Sequence, residues 1–189
     1  AKRPAQCISI ASFVQVSVLP LTCVLFLVSL GYSGILSFVV LYAGELGMTD
    51  AVSVYFVLYA VAILVSRPPV GRRVDRKGEN SCIYASLSAV VLGLAILAAA
   101  VHAGMLLASA ALLGFGIGTT QSIIQAVIAR DTPPEELGRA NSTFMMRMDL
   151  GSGAGPMVIG LFIPFVGYRP VYAALACVAV AAIVVYHFA

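Results

Sequence analysis

Charged side chains are scarce in this sequence. They make up 10% of its 189 residues, whereas 61% are hydrophobic and the mean hydropathy is +1.02. A water-soluble domain carries charge on about a quarter of its residues, because those groups cover its surface. The scarcity of charge therefore excludes an ordinary soluble domain. The apolar surface must face another solvent, and a lipid bilayer is the natural one.

Cysteine, metal-ligand and cofactor motifs are also missing. The Gly-Phe-Gly-Ile-Gly run at 114–118 lies in mid-span with no strand before it, so it is not a nucleotide-binding loop, and no ATP site is visible. We expect no metal, no cofactor and no nucleic-acid partner. The cysteines form no CxxC or other metal spacing, and we interpret them as small apolar fillers in helices. The four are Cys7, Cys23, Cys82 and Cys177.

The ends of the sequence indicate a piece of a longer chain. It opens with Ala1 rather than Met and ends inside an apolar run at Ala189. The first apolar segment is too long for the hydrophobic region of a secretory signal peptide, and no small-residue cleavage site follows closely behind it. We therefore expect sequence beyond at least one end.

Six apolar segments are each long enough to cross a bilayer, which takes about 20 residues in a helix. The sequence therefore predicts an all-α membrane protein in which residues 1–189 form a single six-helix transmembrane bundle. Pro68 and Pro69 are expected to close the second helix, because neither proline can donate a helical hydrogen bond. The predicted spans run at about residues 16–43, 52–70, 81–101, 105–129, 144–165 and 170–188.

Basic residues lie almost entirely at one end of the predicted spans. The connections at 44–50 and 102–104 contain no Lys or Arg, and the last connection contains only Arg169. Because basic connections stay in the cytoplasm, we expect a multi-pass protein of the plasma (inner) membrane with both termini cytoplasmic. The nine residues at the basic end are Lys2, Arg3, Arg67, Arg72, Arg73, Arg76, Lys77, Arg130 and Arg139.

The six spans differ in polarity. The third and sixth contain few polar groups, whereas the first, fourth and fifth contain several. Polar groups are costly in lipid, so they should face protein or a water-filled cavity. We expect the third and sixth helices to face lipid, which indicates a 3+3 arrangement with the third helix of each triplet outermost. No residue-level repeat between the triplets is visible.

A charged segment at 71–80, Gly-Arg-Arg-Val-Asp-Arg-Lys-Gly-Glu-Asn, separates the second and third spans. It resembles the signature loop of the major facilitator superfamily, which joins helices 2 and 3 and recurs between helices 8 and 9. Asn80 departs from the pattern, because the family usually has Arg or Lys there. The matching residues are Gly71, Asp75, Arg76 and Gly78.

Two further stretches resemble the second half of drug exporters in this family. The segment 138–151 is similar to the start of their helix 11, and Tyr32-Ser33-Gly34 resembles their helix 7. The resemblance covers nearly the whole chain and implies helices 7–12, the C-terminal half of a drug:proton antiporter-like transporter. Its partner would be a missing N-terminal half or a second copy. A helix-packing motif similar to the glycine-proline motif of antiporters comprises Gly151, Gly155, Pro156 and Gly160.

Two carboxylates are candidates for gating or proton coupling. Asp75 can accept hydrogen bonds from the N-terminus of a neighbouring helix, and the resemblance implies that its loop latches one half against the other. The alternative is a solvated loop without a gating role. Asp149 would lie about 8 Å inside the membrane, as a proton-coupling residue or part of a structural or gating ion pair. Arg147 is a further candidate for this role, although it is two residues away from Asp149 and points elsewhere on the helix.

Three pairs of polar or aromatic residues are candidates to line a substrate cavity. Each pair shares one region of a single helix, and amide and aromatic groups suit amphipathic substrates. The alternative is that they make interhelical hydrogen bonds and pack in the core. The pairs are Tyr32 and Ser33 in the first span, Tyr55 and Tyr59 in the second, and Gln121 and Gln125 in the fourth.

The resemblance implies a secondary active transporter, and not an enzyme. We expect efflux of small amphipathic compounds in a proton antiporter of the multidrug-resistance type, by alternating access. One alternative is a half-transporter or membrane scaffold that needs a partner half. Another is a rhomboid-like intramembrane serine protease that uses Ser33 with His187. Depth argues against it, because these residues lie roughly 15 and 25 Å from the outer ends of their helices.

Overall fold

The computed structural model describes residues 19–188, apart from the side chains of residues 19–20, 69–73 and 75–77. Six helices and no strand occur in this part of the chain, and all six are long and apolar enough to cross a membrane. The prediction of an all-α, six-helix membrane protein is therefore confirmed. The helices are α1 Leu19–Glu45, α2 Asp50–Lys77, α3 Glu79–Ala98, α4 Ala103–Asp131, α5 Leu137–Val166 and α6 Tyr168–Phe188.

The helices form two triplets with matching contacts. In the bundle, α4 packs along α2 and α3, and α1 packs along α5 and α6, while α3 and α6 pack on each other. Exchanging α1, α2 and α3 for α4, α5 and α6 converts this set of contacts into itself. Helices adjacent in sequence within a triplet make little contact. This is the 3+3 arrangement of an internally repeated half-bundle.

A repeat at the level of single residues also emerges from the structure. Gly78 alone joins α2 to α3, and Gly167 alone joins α5 to α6. Their backbone angles are φ 80°, ψ 162° and φ 79°, ψ 175°, a region that glycine almost alone adopts. Each N–H donates to the carbonyl oxygen four residues earlier, Val74 at 3.0 Å and Ile163 at 2.8 Å. These junctions are equivalent positions of the two triplets.

The prediction that Pro68 and Pro69 close the second helix is wrong. The apolar span ends at Pro68, but α2 continues to Lys77, so most of the charged segment is helical. Each proline removes one hydrogen-bond donor, and local adjustments in membrane helices accommodate that loss. Arginine and lysine, which dominate the next turns, are good helix formers. The helix ends where Gly78 takes a conformation that other residues resist.

The two ends of the bundle differ in charge and are called the basic end and the neutral end. The basic end is where α2 meets α3 and where residues 132–136 join α4 to α5. The neutral end carries the connections α1–α2, α3–α4 and α5–α6.

The helices with the most uncovered surface are α2 and α5. Only 17% of the apolar stretch of each is buried within the chain, compared with 50% for α1 and α3, 56% for α4 and 28% for α6. Polarity had singled out α3 and α6 as the lipid-facing helices, yet α3 is half buried. The polarity of its side chains does not determine which neighbouring helices cover a helix. The free faces of α2 and α5 are thus the main unpacked surface of this bundle.

Candidate functional site

A cleft lined mainly by apolar side chains, with two amide side chains among them, opens at the basic end between α4 and α5. Its volume is about 350 Å³, and its lining includes Gln125, Asn141 and Phe144. Gln121 lies one turn away from Gln125 toward the neutral end, and its Nε2 donates to the Met148 Sδ at 3.7 Å. Both glutamines therefore lie on the side of α4 that faces α5, and Gln125 is the exposed member of the pair. The cleft offers amide groups beside an aromatic ring.

The tyrosines of α2 are enclosed by the bundle. Tyr55 is fully buried, with its ring 5.6 Å from that of Phe56, and Tyr59 is 9% exposed. The Tyr59 hydroxyl has no hydrogen-bond partner among the described residues. A buried hydroxyl without a partner costs roughly 1–3 kcal/mol. Both side chains are therefore packed inside the described bundle rather than exposed at its surface.

The two candidates of α1 lie in different surroundings. Tyr32 is half-buried, whereas Ser33 is buried and its Oγ donates to the Leu30 carbonyl oxygen at 2.8 Å. Ser33 faces α5, where a β-carbon added at Gly155 would collide with its side chain. Ser33 therefore packs between two helices and is not exposed to a cleft.

The glycines of α5 allow it to approach α1 closely. A β-carbon at Gly151 would lie 2.7 Å from the Ser29 Cβ and 2.9 Å from the Phe26 carbonyl oxygen. Gly160 is less constrained, because its nearest neighbour would be the Phe38 ring at 3.4 Å. Small residues permit such contact where no hydrophobic force drives helices together. Pro156 lies half-buried within the same helix.

Asp149 lies on the uncovered side of α5. It is two residues from Gly151, so it points roughly opposite to the face that packs on α1. The Arg147 side chain is half-buried, and the only ion pairs among the described residues belong to Arg130. Asp149 and Arg147 are therefore not paired with each other. A carboxylate at this depth needs protein or water beside it.

A guanidinium group joins α3 to α4 beside the charged segment. Arg130 Nη1 and Nη2 donate to the Glu79 carboxylate at 2.7 and 3.1 Å, and Nε and Nη2 donate to Asp131 at 2.7 and 3.0 Å. The sequence did not reveal this contact, because Arg130 and Glu79 are 51 residues apart. Of the four matching motif residues, Gly78 forms the helix junction. The side chains of Asp75 and Arg76, and the surroundings of Gly71, lie outside the described part of the structure.

Two further hydrogen bonds attach the end of α6 to the start of α3. The Tyr186 hydroxyl donates to the Asn80 Oδ1 at 2.6 Å, and the Tyr84 hydroxyl lies 3.0 Å from the His187 Nδ1. Asn80 is the position at which the sequence departs from the motif. Its amide oxygen accepts a hydrogen bond here, whereas an Arg or Lys side chain has no acceptor. His187 is engaged at the basic end, far from the α1–α5 contact that holds Ser33. The two residues do not form a protease pair.

Comparison with known proteins gives a consistent family. The family model for the Major Facilitator Superfamily matches residues 9–189. The multidrug resistance protein B homolog of Mycobacterium tuberculosis is 29% identical over 69% of this chain and 24% of its own length. An uncharacterised MFS-type transporter of Salmonella typhimurium is 30% identical, over 86% of this chain and 42% of its own. The multidrug resistance protein MdtG of Proteus mirabilis is 29% identical, over 78% and 38%. The chain thus spans less than half of these relatives.

Proposed function

The chain belongs to the Major Facilitator Superfamily, a family of membrane transporters rather than enzymes, and from this premise we propose that it is the C-terminal half of a drug:proton antiporter. Such a protein exports small amphipathic compounds while protons move inward. Support comes from two relatives that are named multidrug resistance proteins and from the short share of each relative that the chain matches. Helices α1–α6 would be helices 7–12 of the complete transporter.

The observation that carries this proposal is the free face of α5. It exposes Asp149 together with large apolar side chains such as Met157 and Phe165. An acidic residue at the bilayer centre costs about 2.5–3.5 kcal/mol when lipid surrounds it, and one about 8 Å inside the membrane bears part of that cost. A second six-helix half that covers α5 and α2 removes that cost. Rocking of the two halves about a central cavity would then give alternating access.

Within this transporter, the polar groups at the basic end have separate roles. Gln125 and Asn141 provide hydrogen bonds to a substrate in the α4–α5 cleft, beside Phe144. Asp149 carries the proton or a gating charge where α5 meets the first half. The segment with Gly71, Asp75, Arg76 and Gly78 latches the halves together. Its basic residues support a location on the cytoplasmic side of the plasma membrane.

The test is efflux by the full-length transporter reconstituted in vesicles with an imposed pH gradient. We expect Asp149→Asn to abolish the dependence of efflux on that gradient, because the side chain can no longer bind and release a proton. Asp50→Asn is the matched control, since Asp50 is exposed at the neutral-end start of α2. Full gradient-driven efflux by Asp149→Asn would exclude it as the coupling residue.

A second candidate is a half-transporter that pairs with another copy of itself. The same free faces of α2 and α5 support it, because two copies related by a two-fold axis cover them equally well. Cysteine substituted for Gly153 on α5, where no atom lies within 4 Å of an added β-carbon, reports the difference. Disulfide-linked dimers of this chain in membranes favour self-pairing. A monomer that crosslinks only to a first half excludes it.

A further inference from the structure

A groove between α3 and α6 opens at the neutral end and is not used by the transport mechanism above. Its volume is about 520 Å³, and α2 and α5 contribute no residue to its lining. The walls consist of five alanines and Pro170. Ala95 and Ala98 lie at the end of α3, Ala99 follows it, and Ala173 and Ala176 lie on α6. Small side chains at these positions leave a trough between helices that pack closely elsewhere.

The groove runs from the neutral end of the bundle toward the middle of α3 and α6. Both helices are candidate membrane spans. Its deepest lining residue on α6, Ala176, lies about 10 Å along the helix axis from Arg169 at its mouth. An occupant therefore has its polar part near the neutral-end surface and its apolar part among alanines. Phospholipids have this arrangement of a polar headgroup and an apolar chain, and the bilayer contains them at high concentration.

Arg169 gives the mouth of the groove a fixed positive charge. Its Nη2 donates to the Ala100 carbonyl oxygen at 3.0 Å, just beyond the end of α3. Within the described part of the chain it forms no ion pair. It lies in the first turn of α6, and the neutral-end connections contain no Lys or Arg. A guanidinium with unused donors binds a phosphate group through paired hydrogen bonds. The charge complements an anionic headgroup.

We propose that this groove binds an anionic phospholipid, with the phosphate on Arg169 and one acyl chain along the alanine walls. Free phosphate would use the arginine but leave the apolar trough unfilled. A zwitterionic lipid would fill the trough but bring a second, positive charge toward Arg169. The inference depends only on the membrane-spanning fold and stands apart from the substrate and the coupling ion.

The experiment measures lipid retained on the purified full-length transporter. Protein reconstituted with equal amounts of phosphatidylglycerol and phosphatidylcholine is extracted into mild detergent, and bound lipid is counted by native mass spectrometry. We expect phosphatidylglycerol to be retained preferentially. Arg169→Gln should reduce that preference by about five-fold, the size expected for one basic group at an anionic surface. Arg169→Lys should keep only part of it, because lysine retains the charge but cannot make the paired hydrogen bonds.

Variants of the walls separate the groove from general adsorption. Ala173→Leu fills the trough and should remove bound phospholipid of both kinds. Ala174→Leu is its control, because Ala174 is exposed on the same helix but does not line the groove. Arg67→Gln removes one positive charge from the basic end and should retain the lipid. Thermal melting checks that each variant is folded.

Three outcomes would overturn the proposal. The first is equal retention of the two lipids by the unaltered protein. The second is phosphatidylglycerol retention that survives Ala173→Leu. The third is an increase in melting temperature with inorganic phosphate alone that equals the increase with phosphatidylglycerol. That result would mean that Arg169 is a simple anion site. If Arg169→Gln does not fold, the comparison of Ala173→Leu with Ala174→Leu still decides.

Discussion

Replacing Gly151 with alanine tests how closely α5 approaches α1. The added β-carbon would lie 2.7 Å from the Ser29 Cβ and 2.9 Å from a backbone oxygen of Phe26. Carbon atoms in favourable contact are about 3.5–4.0 Å apart, so the helices must separate by several tenths of an ångström. Inserting a methyl group into such a contact costs about 1–3 kcal/mol.

Gly153 on the same helix provides the matched control. An alanine there meets no atom within 4 Å. In the middle of a helix, alanine is favoured over glycine by about 1 kcal/mol, and that gain applies to both variants. The difference in unfolding free energy between Gly151→Ala and Gly153→Ala therefore measures the cost of crowding at the α1–α5 contact. We expect Gly153→Ala to be the more stable variant by about 1–3 kcal/mol.

The assay is thermal unfolding of both variants in the same detergent, followed by intrinsic tyrosine fluorescence or circular dichroism. We expect Gly151→Ala to melt at or below the unaltered protein, because the packing cost of about 1–3 kcal/mol exceeds or equals the propensity gain of about 1 kcal/mol. We expect Gly153→Ala to melt above the unaltered protein. In a chain of this size, 1 kcal/mol corresponds to about 2–4 °C in Tm. Equal melting temperatures for the two variants would refute the close α1–α5 contact.

Three other changes test the basic end and the helix junctions. Gly78→Ala should destabilise the fold by about 1–3 kcal/mol, because its backbone angles suit glycine alone; Gly167→Ala should match it in thermal melting, and a harmless substitution at either would contradict the repeat. Glu79→Gln should lower Tm only slightly, because the ion pair with Arg130 is exposed, and the difference in Tm should vanish in high salt. A large decrease in Tm that salt leaves unchanged would show that the pair is buried in the membrane protein. Tyr186→Phe and Asn80→Ala should each lower the free energy of unfolding by about 1 kcal/mol or less. A double-mutant cycle should give a coupling energy of about 0.5–1.5 kcal/mol between the two side chains. Additive effects of the two substitutions would exclude the hydrogen bond.

Hydropathy was sufficient to predict the number, order and approximate length of the helices, because crossing a bilayer imposes a minimum apolar length on each span. The same reasoning misplaced the end of α2. It treated Pro68 and Pro69 as terminators, whereas the following arginines and lysine extend the helix beyond the membrane to Gly78. Span length is set by the solvent, but a helix end is set by the first backbone conformation that a helix cannot accept.

The contacts of the candidate site were less accessible from sequence. Arg130 and Glu79 are 51 residues apart, and Tyr186 and Asn80 are 106 apart, so no local pattern could pair them. The spacing of Gln121 and Gln125 did predict a shared face, and the structure directs it toward α5. Ser33 was a cavity candidate by its polarity, but packing against Gly155 encloses it. Side-chain type indicates what a residue can bind, while helix packing decides what it meets.

The covering of α5 by a second half is most directly measured from the lipid side. In a cysteine-free version of the full-length transporter, a fluorophore is attached to a cysteine at position 153 on α5 or at position 174 on α6, and brominated phospholipid is added as a quencher. Both glycine and alanine at these positions are exposed in the isolated six-helix bundle. A protein-covered α5 predicts strong quenching at position 174 and little at position 153. Equally strong quenching at position 153 would mean that lipid, and not a partner half, faces α5.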